Sequence, residues 1–189
     1  MTARAWLAAG IMLLAAGRLA AQELPRVMIQ TELGSMEVVV DTMKTPDAAG
    51  NFLSYVDHGA YQGGRFHRTV RAERLPGGKT GIEGIEGGQN PSRPKDVTPM
   101  ALEGRKDTGL AEGDKVLSLR GDGADAPSDF FIRVGNQPEL GRYEPDTDGF
   151  TPFGRVVRGR EVVRLIHTAR AKEQRLTPPI AIINITRVR

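Results

Sequence analysis

The sequence predicts an all-β domain in which a closed antiparallel barrel is covered by two helices. Short runs rich in β-branched and aromatic residues recur along the chain between turns that contain glycine or proline. Two segments instead have apolar residues at helical spacing. Strands and helices do not alternate as in βαβ units, and no internal repeat is present. With 189 residues, of which 39% are hydrophobic, the chain is long enough for one domain with its own core.

Residues 1–21 have the composition of a secretory signal. Arg4 is followed by an apolar run over residues 5–16 and then by small residues up to Ala21. The run is too short for a membrane-spanning helix, which needs about 20 residues. We therefore expect cleavage after Ala21, a mature domain over residues 22–189, and a periplasmic or secreted protein that does not contact the membrane once the signal is removed. Retention of the segment as a membrane anchor is the alternative.

The first elements expected in the domain are a hairpin and a helix. Residues 27–32 and 36–41 are β-rich runs, and Gly34 lies in the turn between them. Thr45 can cap the helix, the proline that follows suits the first helical position, and the apolar spacing continues until Gly59 ends the helix.

Residues 63–70 read Gly-Gly-Arg-Phe-His-Arg-Thr-Val and predict a strand that follows a glycine turn. Strict alternation puts Phe66 and Arg68 on one face and His67 and Thr69 on the other. Because a guanidinium cannot be deprotonated, Arg68 would be costly inside a core. The run therefore indicates either a wall open to a ligand or a solvated barrel face, and it gives His67 a structural role facing away from Arg68.

The second half of the chain begins with a loop-rich segment. Residues 71–113 are rich in glycine, proline and charged residues, which is typical of loops. Apolar spacing after Gly159 predicts the second helix. Further strands are expected at residues 116–119, 129–134 and 153–157, with a closing strand at 180–188.

Taken in chain order, these segments resemble the cyclophilin family of peptidyl-prolyl isomerases. The resemblance is carried by Phe-His-Arg at 66–68, the Gly-Gly pair at 87–88, Ser-Asp-Phe-Phe-Ile at 128–132 and Phe-Gly-Arg-Val at 153–156. It extends over roughly residues 27 to 188. It implies a closed eight-stranded antiparallel barrel capped by two helices, and an enzyme that isomerises X–Pro bonds without a cofactor.

The resemblance also implies roles for individual residues. Arg68 matches the family's catalytic arginine, which donates a hydrogen bond to the prolyl nitrogen. Phe131 and Leu140 match the apolar pocket for the proline ring, and Phe150 stands in place of a pocket histidine. Three further substrate-binding positions depart from the family pattern: Glu86 and Asp129 are carboxylates where amides are usual, and Gly121 replaces an asparagine.

These departures leave two functions open. Retention of Arg68 and Phe131 favours an isomerase that acts on exported proteins, because a pure binder gains little from a guanidinium aimed at an amide nitrogen. The changes at Asp129 and Gly121 favour a non-catalytic module that binds proline-containing segments on the same barrel. Glu86 could either fix the Arg68 guanidinium or hold it away from the substrate.

Composition excludes several other classes of protein. The chain has no cysteine, so it has no disulfides, thiolate metal ligands or cysteine nucleophiles. Its three histidines lack the spacing of a metal site, and no loop has the complete calcium pattern. The net charge is +3, but basic residues are scattered among acidic ones, unlike a nucleic-acid-binding surface. We expect no metal, no cofactor, no nucleic acid partner, and a monomer that binds proline-containing polypeptides.

Overall fold

The computed structural model of the protein describes residues 23–71, 82–92, 114–120, 128–135 and 150–188. Strands make up most of the regular structure in these ranges, and two helices complete it. The strands are β1 Arg26–Thr31, β2 Gly34–Val40, β3 Gly64–Val70, β4 Gly84–Gly88, β5 Val116–Arg120, β6 Phe130–Arg133, β7 Phe150–Arg158, β8 Ala171–Lys172 and β9 Arg175–Arg187. The helices are α1 Pro46–Asp57 and α2 Arg160–Thr168.

The strands close into a barrel. Neighbouring strands follow the order β1-β2-β7-β5-β6-β4-β3-β9, and β1 also pairs with β9, which closes a ring of eight strands. The pairings around the ring are antiparallel. The predicted closed eight-stranded antiparallel barrel with two helices is therefore confirmed. The two-residue β8 lies outside the ring and forms a hairpin with β9.

Two strands begin three or more residues earlier than the sequence predicted. β7 begins at Phe150 rather than at residue 153. Pro152, which has no backbone N–H to donate, is tolerated in this strand because it lies next to a register shift in the pairing with β5. β9 begins at Arg175 rather than at Ile180. The residues between Arg175 and Ile180, including two prolines, fall where the ladder with β3 is interrupted.

The helices agree with the predicted positions, but their starts differ in detail. Thr45 precedes α1 without capping it, because its hydroxyl donates to the Asp41 carbonyl oxygen at 2.8 Å. α2 follows Gly159, whose φ is 78° and whose missing Cβ would lie 2.2 Å from the carbonyl oxygen of Ser35. Only glycine fits this contact. Within the described residues, no helix is long and apolar enough to cross a membrane.

Aromatic rings fill the centre of the barrel. Phe130 makes edge-to-face contacts with Phe52, Tyr61 and Phe66 at centroid distances of 5.6, 5.5 and 5.7 Å. Phe153 packs on Phe52 at 4.8 Å. The prediction that Phe130 and Phe153 point into the core is confirmed, since both are fully buried.

Candidate active site

A β-bulge interrupts the middle of β3. Its pairing with β4 joins Phe66 to Gly87 and Arg68 to Glu86, so His67 is an extra residue without a partner position on β4. Phe66 points into the core and is fully buried, whereas His67 and Arg68 are half-buried and line the same outer cleft. The predicted alternation is therefore wrong here. Because the bulge shifts the alternation by one residue, Arg68 does not share a face with Phe66, and His67 does not face away from Arg68.

The bulge aligns Arg68 with side chains on two neighbouring strands. Arg68 lies opposite Glu86 on β4, and Glu86 lies opposite Phe131 on β6. Directly opposed residues share a face of the sheet, so the three side chains form a row across the outside of the barrel. The sequence neighbours of Phe131, Phe130 and Ile132, belong to the core, which agrees with an outward direction for Phe131.

Arg68 donates hydrogen bonds to β4 on one side and to the turn before β9 on the other. Its Nη1 donates to Glu86 Oε2 at 3.0 Å, so the ion pair considered from the sequence is present. Its Nε and Nη2 donate to Gln174 Oε1 at 3.0 and 2.7 Å. Among the described residues, three of the five guanidinium N–H groups thus have acceptors, and one on Nη1 and one on Nη2 remain for a ligand.

Sequence analysis did not identify Gln174. The residue lies in the β8–β9 turn, next to Glu173, and both residues have positive φ values of 65° and 49°. Turns of this kind usually contain glycine, asparagine or aspartate, none of which is present here. The sequence therefore carries no hairpin signal at this point and no indication that the turn reaches Arg68.

Asp129 lies over the end of β4. A Cβ on Gly88 would be 1.7 Å from Asp129 Oδ1, so a side chain at residue 88 would displace this carboxylate. Ser128 Oγ donates to Asp129 Oδ1 at 3.4 Å, and His67 Nε2 is 3.7 Å from Asp129 Oδ2. Burial raises the pKa of Tyr55, and the Asp129 charge raises it further. Asp129 thus faces His67 at the edge of the row.

Phe131 forms the apolar end of the row. Its ring contacts Phe150 at a centroid distance of 5.1 Å, and 4% of Phe131 is exposed. The absence of a side chain at Gly84 leaves the space that the Phe131 ring occupies. Phe131 and Phe150 are therefore in contact, and their role as an apolar pocket stays a prediction. The other two predicted substrate-binding residues, Leu140 and Gly121, lie outside the described residues.

Comparison with known proteins identifies the family. Residues 26–187 match the family described as cyclophilin type peptidyl-prolyl cis-trans isomerase/CLD. The chain belongs to the cyclophilin family.

Bacterial peptidyl-prolyl cis-trans isomerases are among its relatives. The chain is 30% identical over 138 residues to peptidyl-prolyl cis-trans isomerase A of Dickeya dadantii, an alignment that covers 72% of this chain and 67% of that protein. It is also 30% identical over 139 residues to a peptidyl-prolyl cis-trans isomerase of Acinetobacter baylyi, covering 72% and 69%.

Solved cyclophilin structures have the same fold. A cyclophilin type peptidyl-prolyl cis-trans isomerase of Cryptosporidium parvum superposes with a TM-score of 0.63 at 19% identity, covering 88% of this chain and 98% of that one. A second structure of that protein, determined in the presence of the dipeptide Ala-Pro, gives a TM-score of 0.61, also at 19% identity, and covers 87% and 99%.

A polar cleft opens beside Arg68 on this cyclophilin barrel. Its volume is about 860 Å³, and both basic and acidic side chains line it. The charged and polar lining residues are Arg65, His67, Arg68, Gln89, Ser128, Asp129, Glu173, Gln174, Arg175 and Thr177. The mixture of signs favours a polypeptide backbone with varied side chains over a strongly charged ligand.

Three side chains at the cleft have the chemistry of metal ligands. His67, Glu86 and Asp129 each offer one ligand atom, and the three atoms lie within 4.8 Å of one another. Glu86 is also the ion-pair partner of Arg68, so a metal would have to compete with the guanidinium for this carboxylate. The arrangement therefore favours orientation of Arg68 as the role of Glu86, and we assign no metal to the cluster.

Proposed function

We propose that this protein accelerates cis/trans isomerisation of X–Pro bonds and that the Arg68 guanidinium donates to the prolyl nitrogen as the amide twists. The observation that carries the proposal is the row of Arg68, Glu86 and Phe131 on the outer face of the barrel. Among the described residues, two guanidinium N–H groups of Arg68 have no acceptor and are left for a ligand. Family membership and the names of the bacterial relatives support the reaction class.

The chemistry of the reaction fits a site with one guanidinium. The barrier of about 18–20 kcal/mol arises from amide resonance, and no bond to carbon or hydrogen is broken. Twisting the amide localises a lone pair on the prolyl nitrogen, which then accepts a hydrogen bond better than it does in the planar amide. A donor at that position stabilises the transition state more than the ground state. Neither a nucleophile nor a metal is required for this step.

The apolar end of the row suits the proline ring. A ring seated against Phe131 and Phe150 would lie beside the Arg68–Glu86 pair on the adjacent strands. Contact with apolar side chains also displaces water, which would otherwise solvate the amide and weaken the arginine hydrogen bond. Glu86 and Gln174 keep the guanidinium from rotating away from this position.

A non-catalytic proline-peptide binder is the second candidate, and one observation favours it. The Glu86 carboxylate is 3.0 Å from Nη1 of Arg68 and its side chain is 14% exposed. A poorly hydrated carboxylate at this distance neutralises part of the charge that Arg68 would offer to the prolyl nitrogen. If this effect dominates, the protein binds proline segments without accelerating their isomerisation.

Exchange NMR on a short Ala-Pro peptide separates the two candidates. We expect residues 22–189 to accelerate cis/trans exchange, and Arg68→Ala to remove most of the acceleration while the peptide still binds. Arg155→Ala is a matched control, because it removes an exposed arginine on β7 away from the row and should leave the rate unchanged. Peptide signals that shift on titration without faster exchange would establish the binder instead.

We further propose that the protein acts on exported polypeptides as a monomer in the periplasm or outside the cell. The signal-like composition of residues 1–21 supports export. Fractionation of the producing cells, with N-terminal sequencing of the mature protein, tests this role. A cytoplasmic protein that retains residues 1–21 would contradict it, and light scattering of residues 22–189 would test the monomer.

A further inference from the structure

The β8–β9 turn is fixed against the strand that carries Arg68. Glu173 and Gln174 form the turn with φ values of 49° and 65°. The Gln174 carbonyl oxygen accepts a hydrogen bond from the Thr69 backbone N–H at 2.8 Å. Arg175, the next residue, is paired with Arg68 in the β3–β9 ladder. The backbone of Gln174 is therefore held in place independently of its side chain.

The Gln174 side chain accepts two hydrogen bonds from the Arg68 guanidinium. Its single Oε1 accepts from Nε at 3.0 Å and from Nη2 at 2.7 Å, while Glu86 accepts from Nη1 on the other side. Acceptors at Nε, Nη1 and Nη2 fix the rotation of the guanidinium plane, because turning the plane would break at least one of the three hydrogen bonds. The two remaining N–H groups consequently keep a constant direction.

We propose that Gln174 is a positioning residue that holds the Arg68 guanidinium in its catalytic orientation. This inference rests on the proposed function and adds a residue that does not itself touch the substrate. An amide suits the role, since it accepts hydrogen bonds without adding a second negative charge beside that of Glu86. Arg68 thereby keeps part of its positive charge for the prolyl nitrogen.

Gln174→Asn is the sharpest test of the side chain. Asparagine tolerates the left-handed backbone conformation and keeps the amide, but it is shorter by one methylene and cannot make the same contacts with Nε and Nη2. We expect kcat for Ala-Pro exchange to fall on the order of tenfold with a smaller change in KM, because a misoriented donor affects the transition state more than binding. Lys172→Ala, an exposed change in the same hairpin, is the control and should leave both constants unchanged.

A spectroscopic measurement tests orientation without relying on activity. The Nε–H proton of Arg68 is observed through its ¹⁵N-coupled signal, which is assigned by its loss in Arg68→Lys. This proton should exchange slowly with water in the unaltered protein and fast in Gln174→Asn. Gln174→Glu keeps an acceptor of the original length and should restore slow exchange of Nε–H. A purely structural role for Gln174 would leave this signal unchanged in all variants that fold.

Two results would overturn the inference. One is an Arg68 Nε–H signal that exchanges equally in the unaltered protein and Gln174→Asn. The other is a higher kcat in Gln174→Asn, which would mean that Gln174 blocks Arg68 rather than orienting it. Absence of acceleration by the unaltered protein would instead refute the proposed function, while the exchange of Nε–H would still report whether Gln174 orients Arg68.

Discussion

Replacing Gly84 with alanine should destabilise the barrel beneath the proposed proline pocket. A Cβ at this position would lie 2.3 Å from Cζ of Phe131 and 2.5 Å from the carbonyl oxygen of Ile132. Ordinary contacts of a Cβ begin near 3.4 Å, so each neighbour would have to move by about 1 Å. The Phe131 ring can tilt away, but the Ile132 oxygen belongs to the backbone of β6, which is paired with β4. Both the ring position and the strand pairing would therefore change.

The size of the effect follows from this overlap. Overpacking of a closely packed site costs about 1–3 kcal/mol, which corresponds to a fall of about 2–12 °C in Tm for a chain of this size. Gly50→Ala is the matched control, because Gly50 lies inside α1 with no atom within 4 Å of the added Cβ. Alanine is the better helix former, so this variant should gain about 0.5–1 kcal/mol.

Urea unfolding followed by circular dichroism measures both variants, and Ala-Pro exchange NMR measures the pocket. We expect Gly84→Ala to lower the urea midpoint and to slow exchange, because the Phe131 ring is displaced. A Gly84→Ala protein that unfolds at the same urea concentration as the unaltered chain would refute the packing described for Phe131. Retention of the full exchange rate would refute its role as the floor of the proline pocket.

Two further predictions concern titratable groups. Burial lowers the pKa of His167 below its ordinary value of 6.5, so the folded state favours the neutral imidazole and loses stability as the pH falls below 6.5 and through the folded pKa. Urea midpoints at about pH 7.5 and about pH 5 should therefore differ less in His167→Gln than in the unaltered protein, and an equal difference would contradict this. The Arg187 guanidinium donates to both oxygens of Asp57 at 2.6 Å and lowers the pKa of that carboxyl, but the pair is about half exposed. Asp57→Asn should therefore lower the free energy of unfolding by less than about 1 kcal/mol, and by still less in about 1 M salt. A larger loss of stability that salt does not reduce would contradict the exposed character of the pair.

Most of the barrel could be predicted because its elements carry local signals. The exception is β4, Gly84–Gly88, which lies in a segment predicted as loops. The β1–β2 hairpin has β-branched runs on both sides of Gly34, and α1 has a proline at its first position and apolar residues at helical spacing. The closing strand β9 is rich in isoleucine, and its prediction was correct except for its start and its last residue. The residues before Ile180 contain two prolines, which disfavour a strand locally but lie where the ladder with β3 is interrupted.

The site could be predicted only in part, because it depends on pairing between distant strands. Recognition of the family identified Arg68, Glu86 and Phe131, and the register confirms that they are neighbours on one face. The bulge at His67 follows from pairing with β4, which no local pattern of residues 64–70 encodes. Contact with Gln174 likewise depends on a turn without glycine, asparagine or aspartate. The catalytic and substrate-binding roles implied for Arg68, Glu86 and Phe131 stay predictions, as do those implied for Asp129, Phe150, Leu140 and Gly121.

The claim that an oriented guanidinium carries the reaction is tested most directly by replacing Arg68 with lysine. Lysine keeps the positive charge but loses the planar fork that Glu86 and Gln174 hold in one orientation. Exchange NMR on an Ala-Pro peptide with residues 22–189 should show fast cis/trans exchange for the unaltered chain and, for Arg68→Lys, a loss on the order of a hundredfold. Undiminished exchange with Arg68→Lys would contradict the claim that an oriented guanidinium carries the reaction.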